Sequence, residues 1–113
     1  MNFTDYQTAA LRTASPDSLA SPNASLTMAA LGLCGEAGEF AELTKKHLFH
    51  GHPLDKEKAA KEIGDVLWYI AFSCEALGVS MDEIAERNIA KLKARYPEKF
   101  ETKLSLVKDE SQE

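Results

Sequence analysis

Apolar positions recur with helical spacing over most of this chain, and no stretch of any length alternates as a β-strand does. Amphipathic segments follow one another, separated by short stretches that contain Pro, Gly and Ser. The predicted helices cover residues 4–13, 23–50, 55–77 and 80–95. The pattern therefore predicts an all-α fold that resembles a four-helix bundle.

Several capping residues support the predicted helix ends. The segments Thr4–Gln7 and Ser80–Glu83 have the spacing of a capping box, in which the first residue caps the helix and the last reaches back. Asp55 has the position of an N-cap for the third helix. Gly51 and Gly78 follow the second and third helices as stop signals.

The chain is long enough for one domain with a modest core. We expect that domain to cover residues 1–100, because residues 101–113 are charged and irregular and read as a frayed tail. The loop over residues 15–24 lies just before the second helix. It is either a plain surface connection or a segment that folds over a ligand.

Two pairs of acids are set into the second and third predicted helices. Glu36 and Glu39 form one pair, and Glu62 and Asp65 form the other. A spacing of three places both carboxylates of a pair on one helix face, with Cβ atoms roughly 5–6 Å apart. Their neighbours are mostly small or apolar, so we expect the acids to face inward. No basic residue is placed to neutralise them, and buried carboxylates need a partner, which indicates a divalent cation.

The ligand type restricts the cation. Four carboxylates from two antiparallel helices would balance two divalent ions, and oxygen ligands favour Mg²⁺ or Mn²⁺ over zinc or copper. A ferritin-like di-iron bundle would carry Glu-x-x-His motifs, whereas the third residue after each first acid is here Glu39 or Asp65. The acids therefore predict a magnesium or manganese site of the kind that activates water and stabilises phosphoryl charge.

Gly32, Gly35 and Gly38 recur at a spacing of three inside the second helix. Each costs about 1 kcal/mol relative to Ala in a helix interior. The spacing indicates that another backbone or a ligand comes very close. The alternative is tight packing on a neighbouring helix with no ligand.

Other side chains are candidates for substrate binding. Asn88, Lys91 and Arg95 share a stripe of the fourth helix, which is either a solvated face or an array of donors for phosphate oxygens. Lys45 lies beyond the first acid pair and is either solvated or directed at an anion. Trp68 and Tyr69 either pack in the core or stack on a nucleobase.

Composition excludes several classes of function. The net charge of −5, without a basic block, argues against nucleic acid as a partner. The chain shows no apolar run of membrane-spanning length and no signal peptide, so no membrane partner is expected. Its two cysteines lie in apolar patterns, which predicts a pair of reduced, buried thiols in a cytoplasmic protein.

Over roughly residues 3–100 the chain resembles the MazG-like nucleotide pyrophosphohydrolases, which belong to the all-α NTP pyrophosphatase superfamily. The resemblance rests on Glu36-Ala-Gly-Glu39, Glu62-Ile-Gly-Asp65-Val-Leu-Trp-Tyr and Asn88-Ile-Ala-Lys91-Leu-Lys-Ala-Arg95-Tyr. It implies a helical bundle that assembles as a dimer or a dimer of dimers. It also implies hydrolysis of nucleoside triphosphates to the monophosphate and pyrophosphate with Mg²⁺ or Mn²⁺.

The resemblance also implies roles for individual residues. The implied metal ligands are Glu36, Glu39, Glu62 and Asp65, and the implied phosphate contacts are Asn88, Lys91 and Arg95. We assign Glu39 the further role of polarising the attacking water. One departure is Gly35, because many members carry an acid directly before the first ligand. No tandem second copy of the domain is found, so we expect the short, single-domain type.

Two hypotheses of function remain open from the sequence. The first is Mg²⁺-dependent hydrolysis of a (deoxy)nucleoside triphosphate by attack of metal-activated water at the α-phosphorus. The alternative is a non-catalytic helical dimerisation or regulatory module, with solvated acids and no stabilisation by divalent ions. In both, one small chain cannot cover the apolar faces of its second and third helices, which predicts a homo-oligomer.

Overall fold

The computed structural model describes residues 1–107 and is all-α, with no strand among those residues, as predicted. The helices are α1 (Phe3–Leu11), α2 (Pro22–Phe49), α3 (Lys56–Leu77), α4 (Met81–Arg95) and α5 (Thr102–Leu106), with a 3₁₀ turn at Asp17–Leu19. The chain forms two compact units, one up to Met81 and one from Asp82 on. The first unit therefore contains α1, α2 and α3, which carry both acid pairs.

The first helix begins earlier than its predicted cap. Asn2 is the N-cap of α1, and its side chain accepts a hydrogen bond from the Asp5 backbone at 2.7 Å. The Asp5 carboxylate accepts in return from the Asn2 backbone at 3.5 Å, which completes a capping box. The predicted box from Thr4 to Gln7 is therefore wrong. Asn is a stronger N-cap than Thr, and it stands two residues earlier.

Gln7 points inward instead of reaching back along α1, and only 7% of its surface is exposed. Its amide oxygen accepts from the Met81 backbone N–H at 2.8 Å. Its amide nitrogen donates to the Val79 carbonyl at 3.2 Å and, at 3.4 Å, to Glu75. This one side chain satisfies the backbone of the turn after α3 and fixes α1 against it.

The ends of α2 and α3 follow common capping rules. Ser21 caps α2 and accepts from the Ala24 backbone at 3.0 Å, so the helix begins slightly before its predicted start. Asp55 caps α3 as predicted, accepting from Lys58 at 3.0 Å. Gly78 ends α3 in the left-handed region at φ 72°, which confirms that stop signal.

The loop before α2 is a packed connection. The Ser18 hydroxyl donates to the Ser15 carbonyl at 2.7 Å, and the Ser25 hydroxyl donates to the Ser18 carbonyl at 2.9 Å. Ser18 itself is buried. These bonds tie the 3₁₀ turn to the first turns of α2.

The core of the first unit is small and centres on α3. Ala71, Cys74 and Met81 are buried together, and Phe72 is also buried. Cys34 of α2 is exposed, so the prediction that both thiols are buried is wrong for that residue. Trp68 adds a link to α1, because its indole N–H donates to the Ala10 carbonyl at 3.0 Å and to Thr13 Oγ1 at 2.9 Å. Burial of α3 on α1 and α2 is thus the main source of stability here.

The segment after residue 100 contains more structure than predicted. Residues Thr102–Leu106 form α5, so the prediction of an irregular tail is wrong there. The rest of that predicted tail, residues 108–113, lies outside the described residues. The predicted domain boundary at residue 100 and the predicted capping box before α4 stay predictions.

Among residues 1–107 no single helix is long and apolar enough to cross a membrane, while α3 and α4 taken together meet the length and composition criteria.

Replacing Gln7 with Leu should lower the free energy of unfolding by about 1–3 kcal/mol, because buried backbone groups of Val79 and Met81 would lose their partner. Urea denaturation followed by circular dichroism measures this. Thr8→Ala is the matched control, since Thr8 is exposed and bonds only back to its own helix at Thr4. If the Gln7→Leu protein were as stable as the control, Gln7 would not be what fixes α1 against the turn after α3.

Candidate metal centre

The acidic residues are brought together by the antiparallel packing of α2 on α3. Gly32 of α2 lies against Tyr69 of α3. One turn further along α2 is Glu36, and one turn back along α3 is Asp65. The acids therefore form the layer next to the Gly32–Tyr69 contact.

Three carboxylates converge between the two helices. One ligand oxygen from each of Glu36, Glu62 and Asp65 lies within 4.8 Å of the others. We call these three residues the acidic cluster. Glu36 and Glu62 are half-buried, whereas Asp65 is exposed. Residues from two separate sequence motifs thus meet at one point, although the prediction that every acid faces inward is wrong for Asp65.

Two oxygens of the acidic cluster lack any partner in the described part of the chain. Oε2 of Glu36 and Oε2 of Glu62 are buried, and neither has a hydrogen bond. Removing an acceptor from water without a partner is costly, and the cost is higher for a charged group. The free oxygens of two neighbouring carboxylates are the arrangement that a cation would satisfy.

The electrostatics of the cluster agree with this arrangement. Desolvation by burial raises the pKa of Glu36, and the charges of Glu39 and Asp65 raise it further, against an opposing hydrogen bond with Glu62. The pKa of Glu62 is also raised, first by desolvation and then by the charge of Glu39 and a hydrogen bond with it. Like charges held together resist ionisation, and a divalent cation would remove that resistance.

Glu39 lies beside the acidic cluster without joining it. Its carboxylate interacts with Glu62, yet it is outside the group of three converging oxygens. Glu39 is exposed, so the prediction that it faces inward is wrong. The predicted role of Glu39 as a fourth metal ligand stays a prediction.

The donor set fits a hard divalent cation. The cluster offers carboxylate oxygens alone, without His or Cys, which suits Mg²⁺ or Mn²⁺. Three converging oxygens are enough to hold one ion, with the remaining positions left for water or substrate phosphate. The expectation that four carboxylates hold two ions stays a prediction.

The structure places two further candidates on α2 and α3. Lys45 is about half exposed and forms an ion pair with Glu42 at 2.9 Å, which also lowers the pKa of Glu42. Trp68 is half-buried, with its ring stacked on Phe72 at a centroid distance of 5.5 Å. Its indole N–H is already bonded to α1. Core packing therefore describes Trp68 in this structure, and base stacking stays a prediction.

The remaining candidates lie on α4, whose residues from Asp82 on belong to the second unit. Asn88 is exposed, and Lys91 and Arg95 are half-buried. Two guanidinium nitrogens of Arg95 are buried without a hydrogen bond among the described residues. The roles of all three in substrate binding stay predictions.

The close approach expected from the glycines of α2 occurs at one of them. A Cβ atom added to Gly32 would overlap the ring of Tyr69. At Gly35 and Gly38 an added Cβ meets nothing within 4 Å in the described chain, so no contact within this chain requires those two glycines, and the close approach of a ligand there stays a prediction. The sequence singled out Tyr69 only as a core or stacking residue. The sequence signal that could have indicated this contact is Gly32, which lies one turn before Glu36.

Comparison with known proteins gives the family. Residues 24–100 match the sequence profile of the MazG nucleotide pyrophosphohydrolase domain. The chain is also similar to Gene 37 protein of Mycobacterium phage L5, with 35% identity over 74 residues that cover 62% of this chain and 65% of the phage protein. The alignment thus spans a little less than two thirds of that relative, and no solved structure gives a significant match. Since the profile covers more than half of its residues, this chain belongs to the MazG nucleotide pyrophosphohydrolase family.

Proposed function

We propose that this protein hydrolyses a nucleoside or deoxynucleoside triphosphate to the monophosphate and pyrophosphate, with Mg²⁺ or Mn²⁺ as its cofactor. The observation that supports the proposal best is the acidic cluster, in which two half-buried glutamates from different helices each carry a buried oxygen without a partner in the described part of the chain. The family of the chain points to the same class of reaction.

The reaction would divide its tasks among the acids. Glu36, Glu62 and Asp65 would hold the cation, which would supply charge stabilisation and an activated water. Glu39 would take the proton of the water that attacks the α-phosphorus, because its carboxylate lies beside the cluster and is not one of the converging three. The bond from the α-phosphorus to its bridging oxygen would break, and pyrophosphate would leave.

The phosphates carry negative charge that the acids cannot bind directly. Asn88, Lys91 and Arg95 on α4 would donate hydrogen bonds to phosphate oxygens. Two nitrogens of Arg95 are buried and have no partner among residues 1–107, which supports this assignment, since a buried guanidinium requires acceptors. Lys45 is a weaker candidate, because it is exposed and already paired with Glu42.

Mn²⁺ should raise the melting temperature of the wild-type protein, because the ion binds the folded acidic cluster and not the unfolded chain. Glu62→Gln should remove most of that rise and should abolish turnover while the helical content stays unchanged. Differential scanning fluorimetry with and without Mn²⁺ measures the first effect. Glu57→Gln is the matched control, an exposed acid on the same helix outside the cluster.

The absence of any stabilisation by Mn²⁺ would favour the non-catalytic module over the hydrolase. Retained turnover of Glu62→Gln at saturating Mg²⁺ would remove Glu62 from the ligand set and would contradict the proposed site.

Lys91→Ala should lower turnover by at least about tenfold with little change in stability, because charge-assisted bonds to phosphate oxygens are among the strongest that one side chain makes. The measurement is pyrophosphate release across the canonical ribo- and deoxyribonucleoside triphosphates and modified bases. That panel also tests the proposed products and identifies the preferred base and sugar. Lys93→Ala is the control, since Lys93 is exposed on the same helix. A change in melting temperature alone would assign Lys91 a structural role.

Static light scattering at micromolar concentration should give the mass of two or four chains. The described chain leaves large apolar side chains in water on both central helices, with Leu31 of α2 69% exposed and Ile63 of α3 54% exposed. A two-fold assembly would cover such faces symmetrically. A fully active protein with the mass of one chain would refute both the assembly and its contribution to the site.

A further inference from the structure

Gly32 and Tyr69 lie too close together to admit a side chain at position 32. The ring of Tyr69 occupies the space where any other residue at position 32 would carry its Cβ atom. The nearest atoms to that position are Cε1, Cδ1 and Cζ, which form one edge of the ring. The backbone of α2 therefore rests directly against an aromatic ring of α3 at this layer.

Tyr69 cannot easily move away from this position, because its neighbours hold the ring. Trp68 packs edge-on against it, with ring centroids 4.9 Å apart and an interplanar angle of 78°. Trp68 is itself fixed by its hydrogen bonds to Ala10 and Thr13 and by stacking on Phe72. Trp68 thus links two contacts: its hydrogen bonds hold α3 to α1, and its ring holds Tyr69 against Gly32, where α2 packs on α3.

That separation also determines the spacing of the acidic cluster. Gly32 precedes Glu36 by one turn, and Tyr69 follows Asp65 by one turn, so the two layers are adjacent along the helix pair. Glu36 reaches the cluster from α2, whereas Glu62 and Asp65 reach it from α3. Ligand atoms must be held within about 0.5 Å of their productive positions, and a side chain forced between the helices would exceed that tolerance.

We propose that Gly32 and Tyr69 are positioning residues of the metal centre, which fix the distance between α2 and α3 so that Glu36 meets Glu62 and Asp65 at one cation. This inference rests on the proposed metal-dependent function. Neither residue is a ligand; both act through the helix backbones that carry the ligands. Metal affinity therefore depends on the absence of a side chain at position 32.

The test compares Mn²⁺ affinity in purified full-length variants by titration calorimetry and by the electron paramagnetic resonance signal of free Mn²⁺. Gly32→Ala should weaken Mn²⁺ binding by at least about tenfold, the loss expected when groups that orient metal ligands are disturbed. Gly35→Ala is the matched control. It adds the same methyl group to the same helix, with the same gain in helix propensity, but its Cβ lies in open space.

A double-mutant cycle separates this contact from general destabilisation. Tyr69→Leu removes the ring edge that a Cβ at position 32 would strike. In that background Gly32→Ala should cost much less Mn²⁺ affinity than it does in the wild type. Tyr69→Phe keeps the ring and should bind Mn²⁺ like the wild type, whereas Tyr69→Leu alone should bind more weakly. This last pair tests the inference even if Gly32→Ala does not fold.

The outcomes distinguish the inference from the function on which it rests. Wild-type binding of Mn²⁺ with equal binding by Gly32→Ala would overturn the positioning role and leave the metal centre in place. Equal loss of affinity in Gly32→Ala and Gly35→Ala would also overturn it, because the Tyr69 ring would then be irrelevant. A wild-type protein that binds no Mn²⁺ would overturn the proposed function and the positioning role together.

Discussion

The structure depends on holding mutually repelling carboxylates between two packed helices. Glu36 and Glu62 are each half-buried with one buried oxygen unpartnered, and their raised pKa values reflect the cost of desolvating them among other acids. Nothing in that group of side chains stabilises the fold by itself. The packing around it must therefore supply the stability, and a bound cation would convert the repulsion into attraction.

That packing is concentrated on one helix. The buried residues Ala71, Phe72 and Cys74 follow the acids along α3. Trp68 then ties α3 to Ala10 and Thr13 by hydrogen bonds, and Gln7 ties α1 to the turn that follows α3. The part of α3 after the acids is thus anchored to α1. This anchoring holds the part that carries the acids in place, although no ion pair among the described residues offsets their repulsion.

Because the hydrophobic core is small, apolar side chains remain exposed on the surface. Leu31 and Ile63 are largely exposed, and the α2 glycines at positions 35 and 38 have open space above them. A chain of this length buries a limited fraction of its surface, and a second copy is a common way to bury more.

The sequence by itself determined the four longest helices, the acid pairs and the family resemblance. Helical periodicity and strong signals such as Asp55 and Gly78 act locally, within one turn of the backbone, so the bounds of α3 were predictable. The prediction at Thr4 failed because two local caps compete there and Asn2 is the stronger. The acid pairs are also local features, since a spacing of three on a helix determines a shared face.

Only the tertiary structure decided which acids converge and which glycine is required. Helical phase places Glu36 and Glu39 on one face, but the position of α3 brings Glu36 to the cluster and leaves Glu39 beside it. Likewise Gly32, Gly35 and Gly38 look equivalent in sequence, and among the residues that the structure describes only Gly32 lies against a side chain from another helix. Such contacts depend on distances between segments far apart in the chain. Periodicity along a single helix contains no information about those distances.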